Sequence, residues 1–294
     1  MRKITLILPV YNDWKSLRLL LRKIEKIIKK KEHKFEVLII NDNSSIRNKK
    51  KLNQNNLFKS IKSINLKSNL GSQKAIATGI RYIANNLKKF GEDFIIMDSD
   101  GEDDYSKIIK ILNLTKKNKE IDVITVNRST RKESLIFSVL YEIHLIITFL
   151  LTFKYIRFGN YSYLNKKALK FISKKKELWL AYSASIEKYF KHKRSIIAER
   201  KKRFEGISKM NYWQLLLHSI KIHLVFLRKI IKNYFIYLFI FVLISSLKNL
   251  SFVLPIIFFL LIVHLLFLIV VNHHSSKIEF KDSLRNIKSI EVFK

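Results

Sequence analysis

The stretch IIMDSDGEDD, residues 95–104, sets the carboxylates of Asp98, Asp100, Glu102, Asp103 and Asp104 within seven positions, directly after a short apolar run. The chain around them carries 57 Lys and Arg against 23 Asp and Glu, a formal charge of +34. Carboxylates packed so closely repel one another unless something positive lies among them. Asp98-Ser99-Asp100 in an extended segment can turn two carboxylates towards one ion. Hard oxygen donors suit Mg²⁺ or Mn²⁺, which keep several waters and share substrate phosphates. Acids also complement the dipole at a helix start, which would account for Glu102 to Asp104 ahead of a helix near Tyr105. That use accounts less well for Asp98, which closes the apolar run.

The elements that position these acids follow from hydropathy. Short apolar runs at 4–10, 35–40, 60–66, 93–98 and 121–127 read as strands. Between them, Leu17 to Ile28, Ala75 to Leu87 and Ile108 to Leu114 have helical spacing. Alternating strands and helices imply a mostly parallel α/β sheet with helices on both faces. Ligands of such sheets bind at the carboxyl ends of the strands. The unusual polar groups fall there: YND (11–13), NDNSS (41–45) and DSDGEDD (98–104).

The C-terminal part changes character. Residues 252–271 contain no Asp, Glu, Lys or Arg, and at ~1.5 Å per residue they would cross the ~30 Å hydrocarbon core of a bilayer. Residues 234–247 form a shorter apolar run flanked by Lys232 and Lys248, whose ammonium groups can reach the two interfaces. A transmembrane hairpin is therefore expected. Arg228, Lys229 and Lys232 before it and Lys277, Lys281 and Arg285 after it place both ends in the cytoplasm. A third apolar stretch, 135–153, holds Glu142 and His144 near its middle and reads as a helix in the membrane interface or as an ordinary buried one.

Composition bounds the rest. The absence of cysteine excludes disulfides, thiolate ligands and a cysteine nucleophile. The basic excess fits either a Lys-, Ile- and Asn-rich compositional bias or attraction to an anionic membrane face. Nucleic acid is not expected as a partner, because the basic residues are spread along the chain without a recognition motif. The histidines show no HExxH or similar ligand spacing. The initial apolar run, Ile4 to Val10, is too short for a signal peptide.

LPVYND (8–13), NDNSS (41–45), NLGSQKAIATGI (69–80) and MDSDGEDD (97–104), in this order and spacing, resemble the N-terminal half of glycosyltransferase family 2 over about the first 130 residues. RKKRFEGISKMNYW (200–213), followed by the apolar pair, is similar to the branch containing dolichyl-phosphate mannose synthase and bacterial polyprenyl-phosphate glycosyltransferases. The resemblance implies a GT-A-like, Rossmann-like catalytic domain. It implies that Pro9, Tyr11 and Asp13 wrap the nucleotide and that Asp42 meets its base. Asn69, Gly71, Lys74 and Ser99 join the nucleotide-sugar site, and Asp98 and Asp100 bind Mg²⁺ or Mn²⁺. Asp103 is a further acid of the catalytic group. Arg203, Ser208 and Lys209 match the R-x-x-G-x-S-K element near the donor and acceptor phosphates, with Gly206 allowing close backbone approach. Arg128 and Arg131, just past the fifth strand, are placed either to meet phosphates or to stand as solvated surface charge.

Two departures accompany the resemblance. The first acid of the usual NDNSS pair is Asn41. In FGNYSYLNKKAL (158–169) the usual aspartate, a candidate catalytic base, is Asn160, and Ser162 replaces the usual arginine. An amide is no proton acceptor. Either the enzyme is inactive, another group serves as base, or none is required; a phosphate acceptor needs none, because its second pKa near 6 leaves it largely anionic at neutral pH.

These readings combine into an expectation: a catalytic domain at 1–130, an interfacial and acceptor-side segment at 131–228, a two-helix hairpin at 229–272 and a cytoplasmic tail at 273–294. The expected reaction is metal-dependent, inverting transfer of a hexose from a nucleotide sugar, UDP- before GDP-, to polyprenyl phosphate at the cell (inner) membrane. Membrane lipid is the expected surroundings, and homo-oligomerisation stays open. The alternatives are another membrane glycolipid acceptor, or a non-catalytic nucleotide-sugar-binding scaffold in surface-glycan assembly.

Overall fold

The computed structural model describes residues 2–28, 33–46, 48, 52, 57–129, 135–206, 212–247, 253–274 and 277–293. The elements of the first half are β1 (Arg2–Val10), α1 (Trp14–Ile27), β2 (His33–Asn41), β3 (Phe58–Leu66), α2 (Ser72–Asn85), β4 (Asp93–Ile96), α3 (Lys107–Lys117) and β5 (Val123–Arg128). There follow α4 (Leu135–Thr152), β6 (Phe158–Asn165), α5 (Lys166–Ile172), α6 (Tyr182–Tyr189), β7 (Arg194–Ala198), α7 (Tyr212–Val225), α8 (Leu227–Leu247), α9 (Val253–His274), α10 (Lys277–Lys281) and β8 (Ile287–Val292). The chain divides into two compact units. One comprises Met1–Lys132, Arg157–Lys209 and Phe280–Lys294, the other Glu133–Ile156 and Met210–Glu279.

The first unit is built on an eight-stranded sheet in the order β7-β5-β6-β4-β1-β2-β3-β8. β3, β2, β1 and β4 run parallel, as the alternating sequence pattern requires. Both faces of β1 are buried because apolar residues occupy consecutive positions. Ile4, Leu6, Leu8 and Val10 join a core with Leu17, Leu20 and Ile24 of α1 and Ile108 and Ile111 of α3. On the opposite face α2 approaches so closely that a Cβ at Gly79 would lie 2.7 Å from Ile40 and 3.6 Å from Ile7. Each fully buried Leu or Ile contributes about 1.5–3 kcal/mol, so this core holds the strand ends rigidly.

The sheet is wider than the first 130 residues supply. β6 inserts antiparallel between β4 and β5, β7 adds a parallel edge beside β5, and β8 pairs antiparallel with β3. The first unit thus draws on chain expected to belong to the acceptor-side segment and to the tail.

In the second unit the expected spanning stretches lie in α8 and α9, and residues 248–252 fall outside the described ones. Among the described residues no helix is long and apolar enough to cross a membrane. The expected transmembrane pair is corrected to that extent. α4 is helical as expected. Its surface is apolar, with Val139, Leu140, Ile143, Ile146, Ile147 and Leu150 exposed, while Thr148 and Thr152 are buried.

Candidate active site

The acidic loop leaves β4 at its carboxyl end. Ser99 fastens it there, its hydroxyl donating to the carbonyl of Pro9 at the end of β1 (2.8 Å). Gly101 turns the chain at φ 87°, a left-handed value open to glycine at little cost. A Cβ at Gly101 would also lie 2.3 Å from the Phe204 ring.

What crosses this loop is the segment Arg200–Phe204. Its backbone bonds the loop twice, Lys201 N–H to Glu102 O (2.8 Å) and Phe204 N–H to Asp100 O (3.0 Å). Its side chains pair with the acids in turn. The Arg200 guanidinium meets Glu102. Lys201 Nζ stands 2.7 Å from Asp104, and Arg203 donates to Asp100 (3.1 Å) and also meets Asp13. Arg128 supplies the remaining cation, 3.4 Å from Asp103 and 3.9 Å from Asp98. The clustered acids are therefore offset largely by basic side chains of the chain itself. Charge balance alone does not require a metal for all five.

Asp98 and Asp100 remain poised for one. Burial, with the neighbouring Asp103 charge, pushes the Asp98 carboxyl up to about 6, against the opposing pull of Arg128 and Asn160. Burial and the charges of Asp98 and Glu102 push Asp100 up to about 7. Asp104 goes the other way: although burial opposes it, bonds from Lys201 and Ser106 hold its carboxyl below the usual range. Burial works against the charge of Arg128, yet the surrounding acids raise its pKa. A divalent ion between them would relieve the like-charge repulsion that helps raise both. Among the described residues no group of three or more His, Asp or Glu is arranged to hold a metal. The fit is to an ion held by two carboxylates that takes its other oxygens from water and substrate phosphates.

The expected nucleotide-side residues form a second cluster. Asp42, buried at the end of β2, accepts from the backbone N–H groups of Leu70 (2.7 Å) and Gly71 (2.8 Å), one on each carboxylate oxygen. Asn69 also accepts from the Gly71 amide, at 3.1 Å. Asp42 thus shapes the turn into α2, and burial raises its pKa against these two bonds. Asn41 donates to Asn65 (2.9 Å) and accepts from Ser44 N–H (3.0 Å), so the amide fixes the loop after β2. Lys74 Nζ lies 5.2 Å from the centroid of Trp179. Tyr11 and Pro9 lie at the mouth of β1, the former partly exposed and the latter buried.

Of the expected catalytic residues, Asp100, Asp103, Arg128 and Arg203 come together, with the expected metal ligand Asp98 and with Asp13. Lys209, Ser208 and Arg131 lie outside the described residues. One participant, Gln73, escaped sequence reasoning, and Asn160, read there as a missing base, is a donor: it donates to Asp98 (2.8 Å) and accepts from Gln73 (3.0 Å). The register Ile96↔Ser162, continued by two residues, sets Asn160 opposite Asp98. The signal available for Gln73 was its place at the start of α2 within the NLGSQK stretch.

A parallel β3-β2-β1-β4 sheet with an Asp-x-Asp pair at the carboxyl end of β4 is a GT-A-like arrangement. Residues 5–173, over half the chain, match the Glycosyl transferase family 2 model, and the chain belongs to that family. An uncharacterised glycosyltransferase of Synechocystis sp. is 22% identical over 227 residues, covering 72% of this chain and 66% of that relative. Among solved structures, glucosyl-3-phosphoglycerate synthase from Mycobacterium tuberculosis, in complex with Mn²⁺, UDP-glucose and phosphoglyceric acid, is 10% identical. It has a TM-score of 0.54 and covers 78% of this chain and 80% of that one. Mannosyl-3-phosphoglycerate synthase from Rubrobacter xylanophilus gives a TM-score of 0.50 at 9% identity, with coverage of 78% and 74%. At such identities the likeness is one of fold.

Proposed function

We propose that the protein is a membrane-attached glycosyltransferase that moves a hexose from a nucleotide sugar, UDP-linked in our reading, to polyprenyl phosphate on the cytoplasmic leaflet, with inversion. The observation that carries the acceptor class is Asn160. At the position where the family usually has a candidate base, its amide donates to Asp98. The neighbouring carboxylates of Asp13, Asp100 and Asp103 are engaged by Arg203 and Arg128. An alcohol acceptor would need a free base here; a phosphate monoester arrives as an anion. Its oxygen attacks the anomeric carbon while the bond to the nucleoside diphosphate breaks, so no proton need be abstracted.

Asp98 and Asp100 would hold Mg²⁺ or Mn²⁺, which when bound neutralises charge on the departing diphosphate. Arg128 and Arg203, fixed by their acids, add cationic donors beside the same edge. The inside-out second unit supports membrane attachment. Its helices turn Ile143, Phe239, Phe259 and Leu266 outward. Inside, Thr148 meets His223 (3.1 Å) and Ser219 meets His144 (2.6 Å). Large contiguous apolar surfaces mark contact with lipid or protein, and inward-facing polar groups are the pattern of helices in an apolar medium.

The test is a transfer assay in detergent with polyprenyl phosphate, Mn²⁺ and a panel of UDP- and GDP-sugars, read by mass spectrometry of the lipid. A glycosylated lipid phosphate is expected. Transfer only to a lipid alcohol or glycolipid, with lipid phosphate left unmodified, would overturn the acceptor reading.

A further inference from the structure

Three side chains from separate elements form a directed series of hydrogen bonds that ends on a candidate metal ligand. The backbone N–H of Tyr182, at the start of α6, donates to Gln73 Oε1 (2.7 Å). Gln73 Nε2 donates to Asn160 Oδ1 (3.0 Å). Asn160 Nδ2 donates to Asp98 Oδ1 (2.8 Å). Amide oxygen and nitrogen are normally assigned only from their networks, but this series begins at a main-chain N–H, which can only donate. The Tyr182 amide therefore fixes which end of Gln73 faces it, Gln73 fixes Asn160, and Asn160 presents a donor to Asp98.

The series is well anchored. Tyr182 is fully buried, and its hydroxyl lies 2.5 Å from Ser162 Oγ, which donates to the Asn160 backbone carbonyl (3.1 Å). Asn160 itself is 8% exposed. One oxygen of Asp98 is thereby occupied by a neutral donor, while the other faces Arg128 Nη2 at 3.9 Å. A carboxylate in place of Asn160 would instead oppose Asp98 at hydrogen-bond distance and add a charge to a group of acids already near balance.

We propose that Gln73 and Asn160 are positioning residues for Asp98: a carboxamide relay, set by the Tyr182 amide, that aims the Asp98 carboxylate and leaves its second oxygen for the cation. The inference rests on the reading of Asp98 as a cation ligand. Groups that bond a metal ligand from outside the coordination sphere typically change metal affinity or activity by about 10- to 100-fold when removed.

The test uses the full chain in detergent and measures Mn²⁺ binding in saturating UDP by electron paramagnetic resonance of free Mn²⁺. Asn160→Ala should bind Mn²⁺ about 10- to 100-fold more weakly. Gln73→Glu keeps the shape and still accepts from Tyr182, but as a carboxylate it cannot donate to Asn160. That amide then turns its oxygen to Asp98, and affinity should fall likewise. The double variant should be no weaker than Asn160→Ala alone, and the transfer rate of both single variants should recover at high Mn²⁺, which a merely structural defect would not do. Asn160→Ala and Gln73→Glu both binding Mn²⁺ within about twofold of wild type, with Asp98→Ala severely weakened, would overturn the relay and leave the metal reading intact. Asp98→Ala binding as wild type would overturn the metal reading and the relay with it. Losses that simply add in the double variant would also refute the relay, because a series must break once.

Discussion

Lowering the pH from 8 to 6 should weaken the binding of Mn²⁺ alone by about 20-fold, because protons and the cation compete for Asp98 and Asp100. The carboxyls stand at about 6 and about 7 through burial and mutual charge. At pH 8 both are essentially ionised. Titrating as one pair in steps near 6 and 7, the two are ionised together in about nine-tenths of molecules at pH 8 and in about one-twentieth at pH 6, which gives the loss. Both values lie above the ordinary carboxyl range, so the folded metal-free form holds protons more tightly than the unfolded chain. The stability that this contributes is complete below about pH 4 and is lost as pH rises through about 6 and 7. Added Mn²⁺ should restore it, and the restoring effect should grow with pH. Titration calorimetry at several pH values, without nucleotide so that its phosphates do not titrate, reads the affinity directly. A flat Mn²⁺ affinity between pH 6 and 8 would refute the reasoning, as would tighter binding at the acid end.

Arg203→Ala frees Asp13 and Asp100 from a cation; Mn²⁺ alone should bind more tightly and UDP more weakly, a split that two separate titrations resolve. Gly101→Ala forces a left-handed alanine, about 1–2 kcal/mol, against the Phe204 ring. Its melting temperature, followed by circular dichroism, should fall by about 2–4 °C for each kcal/mol lost. Asp42→Ala removes the acceptor of the Leu70 N–H and leaves the Gly71 N–H to Asn69, loosening the turn into α2, and should raise KM for the nucleotide sugar more than it lowers kcat. Asn160→Asp should not raise the transfer rate; a large gain would show that base catalysis limits the reaction and would count against a phosphate acceptor.

The parallel half of the fold was legible because each of its strands is a local apolar run and each helix a local periodicity. β1 to β5 fall on the five runs read as strands, and the polar residues after them line the site. The antiparallel strands were not legible in the same way. Nothing within 158–165 states that it inserts between β4 and β5, since that choice depends on burial against Ile95 and Ile124, far away in sequence. The acidic cluster was legible as a concentration of charge but its partners were misjudged. The counter-charges of Asp100, Glu102 and Asp104 stand in RKKRF about a hundred residues later. The complementarity of DGEDD and RKKRF was written in the sequence, but ion pairs have no period and leave no local trace. Asn160 was noticed as a missing base; its role as a donor needed the geometry of Gln73 and Asp98.

The order in which strands are made differs from the order in which they pair. β8 closes the edge of β3 only after residues 210–279 have been synthesised, so the catalytic unit carries an unpaired edge while the hydrophobic helices are already outside the ribosome. Long-range closure of this kind slows folding and exposes a template for misassembly. A soluble version made by cutting the chain just before residue 210 would therefore lose β8 along with the helices, leaving β3 open to aggregation. Excising 210–279 and rejoining the flanks would keep β8 in the polypeptide, and this is the truncation that tests the helices without disturbing the sheet.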